Sequence, residues 1–321
     1  MEIKEGEDVA LHIIKKRTIY TVVALVIALV IVVNIVASMF FSFNIFKKDG
    51  WRKFEKYSYG AELKSESEWI EKNSEKIQIK NAEGKLLTAL EIKNEHVSHS
   101  YIVVCHQYGG SPQSMEEYAK HFYELGFNII LPYMRGHGES VYSDISFGWK
   151  DYKDILDWVE DITDRDEKSK IALFGVSMGA NAVTLAAAQD MPENVRFVIA
   201  DSCYISMDEL IKEYVKTQTN FSSLITRVLV SVFSQDKLGV ALKDADVIEK
   251  VREIELPIMF INGENDTVVP PLISKKLYEN CEAEGVEEAV IENGTHGNNL
   301  GADKEAYWAN IDAFLLTNLG I

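Results

Sequence analysis

Cysteine is scarce. The 321-residue chain has three, Cys105, Cys203 and Cys281, and no two stand in Cys-x-x-Cys spacing. An odd number without paired spacing argues against a disulfide framework and a zinc site. Cys105 sits in an apolar strand-like run and reads as a small core residue. Positive charge is also short: 33 Lys and Arg stand against 50 Asp and Glu, a formal net charge of −17. The first 43 residues hold four of each sign, so the whole excess lies in the remainder. Nucleic acid needs Lys and Arg against its phosphates, so an acidic globular part excludes that class of partner.

Charge of either sign is missing altogether from Thr18 to Phe46. About 20 apolar residues suffice to cross a bilayer core as a helix. A buried core helix seldom runs this long without a polar face. A cleaved signal peptide has a shorter apolar region and a small-residue cleavage site, which Val36-Ala37-Ser38 matches poorly. The sequence therefore predicts a short N-terminal tail (1–17), an uncleaved transmembrane anchor (18–46) and a polar juxtamembrane segment (47–75). Trp51, Phe54, Tyr57 and Tyr59 suit the membrane interface, and Leu63, Trp69 and Ile70 suggest a short helix packed on the following domain. Lys and Arg flank both ends of the apolar run, but Lys15-Lys16-Arg17 abuts it directly and the tail is short. The expected orientation is a cytoplasmic N-terminus with the large domain outside the cell membrane.

From residue 76 to the end, strand and helix patterns alternate. Ile77–Lys80 and Leu86–Ile92 read as a hairpin about the turn Glu83-Gly84-Lys85. Apolar strands follow at Tyr101–Cys105, Phe127–Leu131, Lys170–Phe174, Arg196–Ala200, Pro257–Ile261 and Glu288–Ile291. Helical patterns fall at Ser114–Leu125, Trp149–Ile162, after Ser177, at Pro271–Cys281 and at Tyr307–Thr317. Such alternation predicts an α/β domain with a mostly parallel sheet and helices on both faces. Ligands on such sheets bind at the carboxyl ends of the strands. Residues 203–250 break the rhythm: Phe221, Leu224, Ile225, Val228, Leu229 and Val232 recur at helical spacing. They predict a small helical cap whose apolar underside faces an acyl or aromatic part of a substrate.

The chemistry centres on Gly175-Val176-Ser177-Met178-Gly179. Serine is also a common helix cap, and Gly-x-Ser-x-Gly arises by chance in about 0.1 chains of this length, so the motif needs companions. Between a strand and a helix it reads as a nucleophile elbow, a tight turn that exposes the hydroxyl. A serine nucleophile needs a base, an orienting acid and donors for the developing oxyanion. Asp266, in the loop after strand Pro257–Ile261, is the candidate acid, with Glu264 as its substitute. His296, the only histidine after Ser177, follows the last strand and is the candidate base. The order Ser, Asp, His is that of this type of site. The loop His106-Gln107-Tyr108-Gly109-Gly110 follows the first parallel strand, and the amides of Tyr108 and Met178 are the candidate oxyanion donors.

With these motifs and Arg135-Gly136-His137-Gly138-Glu139-Ser140, residues 76–320 resemble the α/β-hydrolase superfamily. The whole chain looks like its membrane-anchored bacterial members described as esterases or serine-aminopeptidase-like proteins. The resemblance implies an eight-stranded sheet, a Ser177–His296–Asp266 triad, acyl transfer through an acyl-enzyme, and neither metal nor organic cofactor. It implies structural roles for His106 and His137. The family usually has His-Gly where this chain has His106-Gln107, a departure that bears on the oxyanion loop. The expected activity is hydrolysis of a carboxylic ester. Cleavage of short peptides and acyl transfer to another acceptor use the same residues, and a binding protein on a silent hydrolase fold is the non-enzymatic alternative.

Overall fold

The uncharged run becomes the larger, C-terminal part of one long helix, α1 (Glu2–Ile45), whose N-terminal part is formed by the expected tail. The computed structural model describes residues 2–48, 66–218 and 223–319. Trp51, Phe54, Tyr57, Tyr59, Leu63 and Phe221 lie outside these. The apolar part of α1, His12–Ile45, is long and apolar enough to cross a membrane. Its side chains are mainly exposed up to Val36, but Ser38, Phe41, Ser42 and Ile45 are buried against the rest of the molecule. These four recur at the spacing of one helix face.

After α2 (Glu68–Asn73), capped by the Ser67 side chain, come β1 (Glu75–Lys80), β2 (Leu86–Ile92), β3 (Ser100–Cys105), α3 (Glu116–Glu124), β4 (Asn128–Pro132), α4 (Asp151–Arg165), β5 (Lys170–Val176), α5 (Met178–Ala187) and β6 (Val195–Asp201). The cap insertion holds α6 (Met207–Gln218), α7 (Ser223–Leu238) and α8 (Val247–Lys250). Then follow β7 (Ile258–Gly263), α9 (Pro271–Asn280), β8 (Glu287–Ile291), α10 (Asn299–Ala302) and α11 (Lys304–Leu319). The eight strands form one sheet in the order β1-β2-β4-β3-β5-β6-β7-β8. Only β1–β2 and β2–β4 pair antiparallel. This is the α/β-hydrolase fold expected from the sequence.

The strands are apolar on both faces because both faces are covered. Val103, Cys105, Ile171 and Leu173 join the core with Ile155 and Trp158 of α4. Their alternates Ile102, Val104, Ala172 and Phe174 join the core with Phe122 of α3 and Phe314 of α11. The helix expected from Ser114 begins later, at Glu116, because Pro112 opens a 3-10 turn over Pro112–Met115.

The cap is helical as expected, but α7 is turned the other way. Leu224, Val228 and Val232 are exposed, while Thr226, Val230 and Ser234 are buried. Three of the six residues read as an underside therefore face outward, while Leu229 is half-buried. The reason is that α7 packs against the C-terminal part of α1: Ser38 Oγ and Thr226 Oγ1 form a buried hydrogen bond of 3.0 Å. Polar groups buried together satisfy one another, and this fixes which face of α7 turns inward.

Candidate active site

Ser177 stands between β5 and α5 with φ 52° and ψ −108°, a conformation strained for a residue with a Cβ. The flanking glycines make the turn sterically feasible. A Cβ on Gly175 would lie 2.3 Å from the Gly179 carbonyl, and one on Gly179 would lie 2.2 Å from the Cys105 carbonyl oxygen. The Ser177 amide donates to the Asp201 carbonyl at 2.7 Å, tying the elbow to the neighbouring strand.

The structure brings Ser177, His296 and Asp266 together. Ser177 Oγ lies 2.7 Å from His296 Nε2, and His296 Nδ1 lies 2.8 Å from Asp266 Oδ2. All three are buried. The other carboxylate oxygen, Oδ1, accepts the amides of Val268 and Val269 at 2.8 and 2.7 Å. With both oxygens accepting, Asp266 is set up as a carboxylate, and Nδ1–H faces it, leaving Nε2 to accept from the serine hydroxyl. Glu264 is exposed, and its Oε2 accepts the Asn293 amide at 3.2 Å. It braces the loop that carries His296. The acid and base loops are also joined by their backbones: Asn265 N–H donates to Gly294 O at 2.8 Å and Glu264 N–H to Ile291 O at 2.9 Å.

Tyr108 and Met178 both line the pocket over Ser177 and His296. Met178 is the first residue of α5, within the turn whose N–H groups have no intrahelical partner. In the His106–Gly110 loop, the Gly109 amide donates to His137 Nε2 at 2.9 Å and the Gly110 amide to Gln107 O at 2.9 Å. The left-handed residue of this turn is Gly109, at φ 76°, and not Gln107. The turn thus does not require glycine at position 107.

His106 and His137 are linked supports beneath this loop. His106 Nδ1–H donates to Gln107 O at 2.8 Å and Nε2 accepts the Met134 amide at 3.3 Å. His137 Nδ1–H donates to Arg135 O at 2.9 Å. Burial, reinforced by the neighbouring His137, pushes the His106 imidazole down to about 3, so it is neutral.

Several residues around the site carried no sequence signal. Ile45 of α1, Phe147, Tyr204, and Leu210 and Ile211 of α6 line the pocket, a cavity of about 50 Å³ that opens to solvent. Phe147 has φ 52°. Its ring stacks on Tyr108 at 5.0 Å, and its carbonyl accepts the Tyr204 hydroxyl. Asp201, at the end of β6, is a second buried carboxylate. It accepts from Ser202 Oγ at 2.8 Å, Asn299 Nδ2 at 2.6 Å and Tyr307 OH at 2.8 Å. Burial raises its pKa above the usual carboxylate range despite these donors. Its place after a strand was the one available sign. Its partners Asn299 and Tyr307 are 98 and 106 residues away and gave none.

Residues 97–253 match the model of the family described as serine aminopeptidase, S33. An uncharacterized protein of Bacillus subtilis, YqkD, is 25% identical over 70% of this chain and 75% of its own length. An uncharacterized membrane protein of Saccharomyces cerevisiae, YNL320W, is 24% identical over 75% of this chain and 79% of its own. Among solved structures, an esterase of Pyrococcus furiosus, Pf2001, superposes with a TM-score of 0.66 at 20% identity, covering 81% of this chain and 96% of that one. The likeness to that structure shows the α/β-hydrolase fold, and the family match lies within it.

Proposed function

We propose that the chain is a membrane-anchored serine hydrolase that cleaves a carboxylic ester. The observation that carries this is the unbroken hydrogen-bond chain Asp266–His296–Ser177 at the base of an apolar pocket. His296 Nε2 takes the Ser177 proton as Oγ attacks the acyl carbon. Asp266 holds the imidazole in the required tautomer and stabilises its cation. The amides of Tyr108 and Met178 hold the oxyanion. Collapse expels the alcohol, which takes the proton from His296. Water, deprotonated by His296, then attacks the acyl-enzyme; the acid leaves and Ser177 regains its proton.

A peptidase on short peptides and an acyltransferase would use the same groups. The ester is favoured because no carboxylate lines the pocket among the described residues, and a free peptide amino group would call for one. The helix His12–Ile45 would hold the enzyme in the cell membrane. Lys15-Lys16-Arg17 would keep the N-terminus cytoplasmic and the catalytic domain outside, an orientation that protease treatment of intact cells tests: an inward domain would be protected. The chemistry is tested by fluorophosphonate labelling of the full chain and its Ser177→Ala form. Labelling that disappears in the variant supports an activated serine. A folded wild type that stays unlabelled argues instead for a silent hydrolase fold with a binding role.

A further inference from the structure

The anchor and the pocket share a piece of chain. Counted from Thr18, about 20 residues of helix span the hydrocarbon core and end near Ala37. Ser38, the next residue, is fully buried against the cap. From Ser38 to Ile45, about 10 Å of helix, α1 is a wall of the globular domain. That wall ends at the site: Ile45 lines the pocket over Ser177, and its carbonyl accepts the Tyr108 hydroxyl at 3.2 Å.

The cap helix α7 runs beside this segment. Thr226 meets Ser38 near one end, and near the other Lys237 Nζ lies 3.2 Å from Asp144, whose backbone pairs with that of Lys47 just past α1. The outward stripe of α7, Leu224, Val228 and Val232, is 67%, 57% and 65% exposed. Met39, Phe40 and Phe43 of α1 are exposed apolar residues at the same level of the helix pair. Both sets lie on helices packed against each other, beside the part of α1 that would lie in the bilayer. Scattered exposed apolar residues need no explanation, but a stripe beside a membrane span does.

We propose that α7 lies in the membrane interface and that the pocket is filled from the bilayer, so that the substrate is a single-chain, membrane-resident acyl ester of the monoacylglycerol type. This rests on Ser177 being the nucleophile and on α1 crossing the bilayer. The occupant of the stripe is lipid because the stripe lies beside a surface already committed to lipid. The apolar lining from Ile45, Phe147, Leu210 and Ile211 accepts an acyl chain entering beside α1. The bond cleaved is the ester C–O bond. The glycerol oxygen takes the proton from His296, and the fatty acid leaves after attack by water.

The test uses the full chain in phosphatidylcholine vesicles containing monooleoylglycerol, with p-nitrophenyl butyrate as a water-soluble ester and fluorophosphonate labelling as the check on Ser177. The wild type should favour monooleoylglycerol in kcat/KM. Val228→Asp combined with Val232→Asp should lower its turnover about tenfold or more, since charges resist burial at the interface, while labelling and butyrate turnover persist. A labelled enzyme that cleaves butyrate but not monooleoylglycerol overturns the proposal and leaves the nucleophile standing. So does a double variant that handles both esters as the wild type does, or one whose loss coincides with a dimer becoming a monomer, which would assign the stripe to a second copy. An enzyme that neither labels nor cleaves either ester defeats the reading of Ser177 itself.

Discussion

The Tyr108 hydroxyl donates a 3.2 Å hydrogen bond to the carbonyl of Ile45, joining the candidate oxyanion loop to the last turn of the N-terminal helix. Phe46, next along, is buried and packs edge-on to Phe147 at 5.6 Å, and Phe147 stacks on Tyr108. The end of the N-terminal helix is therefore part of the domain. A chain starting at Ser38 keeps these contacts; one starting at Lys48 loses Phe41, Ile45 and Phe46, each worth about 1.5–3 kcal/mol of burial. The shorter form should unfold at clearly lower urea and lose ester turnover. Equal unfolding midpoints for the two would show that the segment only tethers.

The three site residues act as a unit, so their substitutions should not add. Ser177→Ala and His296→Ala should each abolish nearly all turnover. Asp266→Asn should lower kcat about 10⁴-fold by favouring the wrong imidazole tautomer. Glu264→Gln should stay within about tenfold of the wild type, because Glu264 holds only the Asn293 amide across the loop. Steady-state kinetics on one ester distinguishes the two carboxylates; a larger loss for Glu264→Gln would reverse the assignment.

Asp201 is a different kind of buried carboxylate. Its donors come from Ser202, Asn299 and Tyr307, and none from His296. Asp201→Asn places an amide N–H₂ among groups that already donate. The expected cost is about 1–3 kcal/mol of stability, with fluorophosphonate labelling retained in the folded fraction. Loss of labelling at full stability would instead make Asp201 a positioning group for the base.

The elbow glycines should be intolerant for a steric reason. Gly179→Ala puts a methyl 2.2 Å from the Cys105 carbonyl, in the strand that leads into the oxyanion loop. Overpacking of this kind costs about 1–3 kcal/mol, and here α5 would have to move away from β3, taking Met178 with it. Both stability and labelling rate should fall. A variant with wild-type stability and labelling would mean that the elbow is looser than its geometry.

Local signals carried most of the fold. The Lys170–Val176 strand, the elbow and the helix after it are adjacent in sequence, and each shows its own periodicity or turn chemistry. The meeting of Asp266 and His296 with Ser177 could be read because each follows a strand, and sheets of this type gather their strand ends. The orientation of α7 could not be read. Leu224, Val228 and Val232 have the spacing of a buried face, and only the long-range partner Ser38 turns Thr226 inward in their place. The pocket wall at Ile45 was hidden for the same reason: an apolar residue at the end of a long apolar helix looks like any other residue of that helix.

His106 supplies a pH dependence whose sign follows from its burial. In the folded state the imidazole is held down to about 3, against about 6.5 when unfolded. Between these values the unfolded chain binds the extra proton, so stability rises with pH. The contribution is complete above about pH 6.5 and is lost progressively as pH falls toward 3, amounting to about 2 kcal/mol by pH 5. His106→Gln removes the titrating group while leaving a polar side chain near Met134 and the Gln107 carbonyl. It should lower stability at pH 7 but flatten the acid limb between pH 6.5 and 4.5. Urea unfolding of both forms across that range decides the point. Parallel acid limbs would place the acid sensitivity in other groups and leave the imidazole without a titrating part in stability.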